Sequence, residues 1–269
     1  MSDEYSALLS NQTWSLVPRH PAQNIIGCKW VYKIKRNPDG SLARYKARLV
    51  AKGFHQRPGV DFSETYSPVV KPTTVRLLLT LAATNNWPLR QLDVNNAFLQ
   101  GSLSDKVFME QTPGFAQSNL PNHVCRLHKA IYGLRQAPRA WYHELRKFLI
   151  SEGFTNSHSD TSLFMLHSPS TVLYLLVYVD DIIITGSSAA HVSAFITALA
   201  RRFSLKDLGN LSYFLGVEAH STATGLFLSQ RKYIKDLLHR VNMTDAKPVS
   251  TPLATTDVLK LFDGSPPAV

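Results

Sequence analysis

LYLLVYVDDIIITG, residues 173–186, sets two adjacent carboxylates, Asp180 and Asp181, between two strongly apolar runs. Runs of Leu, Val and Ile of this length read as two buried strands joined by a tight turn. Side-by-side carboxylates at the end of buried strands repel each other and lose hydration unless a cation neutralises them. An ordinary polar turn is the competing reading. Such turns usually carry Gly or Asn at the tip, whereas here Gly186 comes five residues after Asp181. The pattern predicts a hard-cation site, and magnesium suits oxygen ligands with open positions for substrate phosphates.

A pair of metal ions needs at least one more carboxylate. QLDVNNAFLQG, residues 91–101, is strand-like through Leu92–Val94 and places Asp93 near the end of that apolar run. A turn or helix-capping aspartate is the bland reading of Asp93. Two strand-end acidic elements together suit two-metal phosphoryl transfer, in which one ion activates the attacking hydroxyl and the other stabilises the leaving pyrophosphate.

The charge points the same way. The chain has 269 residues, 29 Lys and Arg against 19 Asp and Glu, a formal charge of +10 and a pI near 9.6. Residues 29–57 hold nine basic side chains and one acid, Asp39, so a net +8 lies in 29 residues and about +2 in the other 240. CKWVYKIKR (residues 28–36) alternates as a half-exposed strand does, NPDG (37–40) is a turn signal, and LARYKARLVAKG (42–53) reads as the returning strand. The result is a basic hairpin, either a merely solvated face or a grip for a polyanion. At 44% hydrophobic and 18% charged residues the composition is globular. Two cysteines, Cys28 and Cys125, exclude a disulfide framework and argue against zinc. The polar opening MSDEYSALLSNQTW is not a secretory signal, and the apolar run Val172–Val179 is too short to span a bilayer. Helices are predicted over 73–85, with Thr73 as N-cap, and over 137–154, 189–203 and 231–240, with a hairpin over 208–230. Helices and hairpins mix without βαβ alternation, so the predicted class is α+β.

On these residues the chain resembles the reverse transcriptase of copia-type LTR retrotransposons, from about Trp14 to Leu253. GCKWVYKIKRNPDGSLARYKARLVAKGFHQRPGVDFSETYSPVVKPTTVR (27–76) resembles that family's fingers segment, and QLDVNNAFLQG its first catalytic motif. LHKAIYGLRQAPRAWY (127–142) is similar to its template- and nucleotide-contacting motif, YVDD (178–181) to its second catalytic motif, and SYFLGVEA (212–219) to its primer grip. The resemblance implies a right-hand polymerase core, with an antiparallel palm sheet backed by helices and the three aspartates converging. It divides the chain into an N-terminal tail (1–13), fingers (about 14–90), palm (about 91–218), a partial thumb (about 219–247) and a truncated tail (254–269).

It also implies roles. Asp93 and Asp180 would be the principal ligands of two magnesium ions, with manganese as an alternative; Asp181 would complete the catalytic set and the Val94 carbonyl would add a ligand. Phe98 would be the steric gate against the sugar 2′ position, and Tyr132 and Gly133 would meet the nucleotide. Lys46 and Arg48 are the leading candidates for the triphosphate clamp, since Arg can grip phosphate oxygens bidentately; Lys52 and Lys35 are the alternatives. Lys33, Lys35, Lys52, Gln136 and Arg139 would bind nucleic acid, and Phe214, Leu215 and Gly216 would form the primer grip. The expected partners are a primed RNA or DNA template and deoxynucleotide triphosphates, with no membrane, in the cytoplasm with delivery of product to the nucleus. Asn95 stands where that family more often has Lys. The chain stops in FDGSPPAV without an integrase or ribonuclease H, so the expectation is a core cut from a larger polyprotein. The alternative is an inactive remnant that still binds nucleic acid.

Overall fold

In the computed structural model the described residues are 1–36, 41–222 and 225–247. The turn expected at 37–40, the loop tip at 223–224 and the Pro- and Thr-rich stretch 250–269 lie outside them. Helix α1 (Ser2–Ser10) leads into strands β1 (Trp14–Pro18) and β2 (Ile25–Ile26), then β3 (Cys28–Arg36) and β4 (Leu42–Ala51). Helix α2 (Pro72–Thr84), β5 (Leu89–Val94), β6 (Ser102–Met109), β7 (His123–Lys129) and helix α3 (Ala137–Ser151) follow. Next come β8 (Thr155–Asn156), β9 (Leu163–Ser168), β10 (Thr171–Tyr178), β11 (Asp181–Gly186) and helix α4 (Ala189–Arg202). The described chain closes with β12 (Leu205–Asn210), β13 (Tyr213–Phe214), β14 (Val217–Thr222), β15 (Gly225–Ser229) and helix α5 (Arg231–Arg240).

The two apolar runs around Asp180 and Asp181 are β10 and β11, paired antiparallel at the centre of a six-stranded sheet of order β12-β5-β11-β10-β9-β8. Alternate side chains explain why both runs are apolar nearly throughout. Leu173, Leu175, Val177, Ile182 and Ile184 pack with Trp141, Leu145 and Leu149 of α3 and with Val192, Phe195 and Leu199 of α4. Leu176 and Ile183 face the other way, into a second core with Leu78 and Leu79 of α2 and with Phe214 and Ala219. A sheet covered on both faces needs continuous rather than alternating hydrophobicity. A third core forms where Leu49 and Ala51 of β4 meet Val107, Met109, Cys125 and Leu127 of a second sheet, of order β1-β7-β6-β2. The described residues thus mix helices with mainly antiparallel sheets; the parallel exception among the named strands is Ile25–Ile26 beside Phe108–Met109.

Three expectations are corrected. Residues 2–10, expected within a tail, form α1, which is docked by fully buried Leu8 and by Tyr5 stacked on Phe115 with ring centroids 4.2 Å apart. The hairpin expected within 208–230 around the Ser-Thr-Gly loop is present as β14 against β15, with Thr222 opposite Gly225, but it does not take in the whole stretch: Leu208–Asn210 finish β12, which pairs with β5, and β13 adds a third strand beside β14. Thr73 does not cap α2, which starts at Pro72 with Lys71 at the N-cap. Asp160, distant in sequence, does that work: it accepts from the Lys71 N–H at 3.0 Å and from Thr74 Oγ1 at 2.6 Å.

Burial alone would raise the Asp160 carboxyl, but the bonds from Thr74, Lys71 and Ser162 outweigh it and hold the group below the usual carboxylate range. A depressed folded pKa contributes stability above the unfolded value and loses it as pH falls through the folded one. Asp160→Ala is therefore expected to cost about 2 kcal/mol at pH 7. The gap to the wild type should narrow as pH drops below about 4. Urea denaturation at pH 7 and pH 3 measures both.

Candidate active site

Tyr178 and Asp181 are register partners, so Val179 and Asp180 alone form the loop between β10 and β11. Val179 has φ +52°, in the left-handed region where a β-branched residue rarely sits. Two hydrogen bonds hold this strained turn: Trp141 Nε1 donates to the Val179 carbonyl at 2.6 Å, and the Val94 N–H donates to the Asp180 carbonyl at 2.8 Å. The second bond ties the turn to the residue after Asp93. In register, Asp93 lies directly opposite Asp181 on β11 and opposite Lys206 on β12. Directly opposed residues of an antiparallel pair share a sheet face, so two acids and one cation meet at the end of β5.

The electrostatics report this crowding. Burial first, and then the Asp180 and Asp93 carboxylates, push the Asp181 carboxyl up to about 6, against a hydrogen bond from Gln91 that favours its charged form. The donors are all oxygen, which suits magnesium. Among the described residues no three His, Cys, Asp or Glu side chains are gathered closely enough to hold an ion by themselves. A divalent ion here fits only if further oxygens complete its shell, as substrate phosphates do.

Opposite the acids stands the basic hairpin. Its register pairs Val31 with Arg48, Lys33 with Lys46 and Lys35 with Arg44, which puts five cations on one face. Among the described residues none of these five forms an ion pair. Like charges placed directly across strands are destabilising. Burial, followed by Arg48, Arg44 and Lys35, lowers the Lys46 ammonium below its ordinary range. Arg44, Lys46 and Arg48 line a cleft of about 470 Å³ together with Asp93, Val94, Asn95, Tyr132 and Asp180. A polyanion entering this cleft would relieve the stacked cations, and a divalent cation would relieve the acids.

Tyr132 links the two halves. The Arg48 guanidinium lies 4.5 Å from the centroid of its ring, and the Phe98 ring meets it edge-on at 4.8 Å. Gly133 follows at φ +89°, and a Cβ there would overlap the Ala51 carbonyl oxygen and the Val50 side chain at the end of β4. The Ala51 N–H donates to the Tyr132 carbonyl at 2.8 Å, so backbone packs on backbone and fixes the hairpin against the site.

Several expected site residues lie apart. Lys33 and Lys35 extend the basic face beyond the cleft, while Lys52 flanks Gly27 and Cys28 past the end of β4. Gln136, expected to touch nucleic acid, lies within a hydrogen-bonded network at the floor of a groove. It is 3% exposed, and its amide accepts from Gln56 and donates to the Asp61 carbonyl, both at 2.9 Å. Arg139 pairs with Glu64 at 2.7 Å in the same groove, separate from the cleft. Phe214 is buried in the core, and Leu215 (φ +49°) and Gly216 (φ +86°) make the two-residue turn between β13 and β14. That succession of left-handed residues is what a tight hairpin turn requires. The Phe214 side chain therefore faces protein, and only the turn is open to a ligand. Sequence reading missed Glu4 and Lys206, both brought to the site by tertiary contacts that leave no local signal.

The family described as reverse transcriptase (RNA-dependent DNA polymerase) matches residues 11–255. The chain is 56% identical over 266 residues to the retrovirus-related Pol polyprotein from transposon RE1 of Arabidopsis thaliana, covering 98% of this chain and 18% of that protein. It is 43% identical over 257 residues to the Pol polyprotein from transposon TNT 1-94 of Nicotiana tabacum, covering 94% of this chain and 19% of that one. The chain thus spans less than a fifth of these relatives. An apo telomerase from Candida tropicalis, truncated from its C-terminal domain, aligns over 84% of this chain and 59% of its own at a TM-score of 0.43 and 8% identity. No helix among the described residues is long and apolar enough to cross a membrane.

Proposed function

Because the chain belongs to the reverse transcriptase family of copia-type Pol polyproteins, we propose that it is the polymerase core that extends a primer with deoxynucleotides on an RNA or DNA template. The observation that carries this reading is the single cleft with Arg44, Lys46 and Arg48 on one side and Asp93 and Asp180 on the other. In polymerase terms β3 and β4 act as fingers, the six-stranded sheet as palm, and the β13–β15 sheet with α5 as primer grip and the start of a thumb.

Asp93 and Asp180 would hold magnesium, with Asp181 and the Val94 carbonyl beside them. Bound magnesium would supply Lewis-acid stabilisation of the charge that develops on the attacking and leaving oxygens. The protein's own part is positional. Lys46 and Arg48 bind the triphosphate and hold it in line with the primer end, the kind of restraint that lowers a bimolecular barrier most. Phe98, packed edge-on to Tyr132 and against two cores, is an immobile wall for the sugar, which disfavours a 2′-hydroxyl.

The test is primer extension on a primed RNA template with magnesium. Extension is expected from the wild type and none from the Asp180→Ala, Asp181→Ala double variant; equal extension by both would reject the assignment. A second reading, a nucleic-acid binder without synthesis, is motivated by exposed Asn95 at the cleft, where the resemblance leads one to expect Lys. Duplex binding that falls steeply with salt, with no extension, would select it.

A further inference from the structure

The acidic start of α1 reaches into the cleft: Asp3 and Glu4 line it alongside Lys46 and Arg48. Its place there is built rather than incidental. Leu8, one turn on, is buried in the core that contains Leu49 and Ala51, Thr13 Oγ1 donates to the Leu8 carbonyl at 2.6 Å, and Tyr5 stacks on Phe115. Glu4 is half-buried, and the nearby Leu49 backbone of β4 favours its charged form. Burial raises its carboxyl, opposed first by Lys46 and then by Arg48. The stacked cations of β3 and β4 make no ion pair among the described residues; of the two α1 acids that line the cleft with them, Asp3 is exposed and Glu4 is the half-buried one whose charge acts on Lys46.

We propose that Glu4 is an internal counter-ion of the triphosphate cleft, neutralising Lys46 and Arg48 while the cleft is empty and opposing the entry of a triphosphate. This rests on reading the cleft as a triphosphate site. It makes Glu4 a residue that sets substrate affinity through Lys46 and Arg48 without touching the reacting atoms. The charge counts both ways. In the empty protein it relieves like-charge stacking on β4, and with a polyphosphate bound it is a like charge within the same low-dielectric pocket. Burial costs this charge more than Lys46 and Arg48 return to it, so removing it should leave the free protein no less stable and tighten polyphosphate binding. A residue whose role is only to support the fold would weaken both.

The experiment is calorimetric titration of the chain with inorganic tripolyphosphate, beside thermal melts of the free protein. Glu4→Gln is expected to bind tripolyphosphate about tenfold tighter, the size of one unit charge removed across a partly screened pocket, with a melting temperature no lower than the wild type's. Glu4→Ala, which leaves the Leu8 and Tyr5 anchors in place, is likewise expected to bind tripolyphosphate tighter and serves if the glutamine variant folds poorly. If the wild type does not bind tripolyphosphate, the triphosphate reading of the cleft fails and the inference with it. If the wild type binds and neither variant binds tighter, the cleft stands and the counter-ion role of Glu4 is overturned.

Discussion

Asp180→Asn is expected to lower primer extension about a thousandfold or more, since the charge stabilisation at stake is several kcal/mol and each 1.36 kcal/mol is tenfold. The same substitution is expected to make the metal-free protein more stable at neutral pH. The second effect follows from the crowding that pushes the Asp181 carboxyl up to about 6. An acid whose folded pKa is raised binds more protons folded than unfolded between the two values. Stability therefore falls as pH rises from the ordinary carboxylate range through about 6, and is level above it. Taking away the Asp180 charge relieves part of that loss, about 1 kcal/mol, at pH 7 but not at pH 4. Melts in chelator across this range, read beside extension assays with magnesium, separate the two effects. A variant that loses both activity and stability would mean that Asp180 is needed for the turn rather than for the reaction. One that keeps full extension would remove the carboxylate from the mechanism.

The second large effect belongs to Gly133. An alanine there meets two penalties at once: a φ of +89° that L side chains rarely adopt, and overlap with the Ala51 carbonyl oxygen. The first costs about 1 kcal/mol, and forcing backbone from backbone adds about 1–3 more. Gly133→Ala is therefore expected to lose about 3 kcal/mol in urea denaturation. Because Ala51 ends the strand that carries Arg48 and Lys46, the variant should also bind deoxynucleotide more weakly even where it is folded. Gly59→Ala is the control, since Gly59 has φ +74° but open space around its Cβ position. It should cost only the conformational part. Equal losses at the two glycines would show that the packing of Gly133 on β4 contributes nothing.

What the sequence made legible, and what it concealed, divides along the range of the interactions. β10 and β11 were readable because a sheet buried on both faces needs apolar residues at nearly every position, and the acids stand out against them. The basic hairpin was readable from its period of two. Its functional content, five cations on one face, needed the register that sets Lys33 against Lys46 and Lys35 against Arg44. β12, LKDLGN, is polar and contains a glycine, and only its position beside β5 makes it a strand. α1 buries a single residue, Leu8, which leaves no apolar stripe to read. The network around Gln136 was not readable, because a buried amide in a satisfied network has the same letter as an exposed one. The cap of α2 lay 86 residues from the hydroxyl it binds, outside any local rule.

The order of strands also has a consequence in time. β5 carries Asp93, but both of its neighbours, β11 and β12, come from residues 181–210. A chain emerging from the ribosome has completed its basic hairpin, and made Asp93, long before either partner strand exists. Until then β5 is an open edge, able to join another chain, and Asp93 has no second acid across from it. Catalytic competence is thus expected to arrive late and in a single step during synthesis, when the last central strand closes over the first.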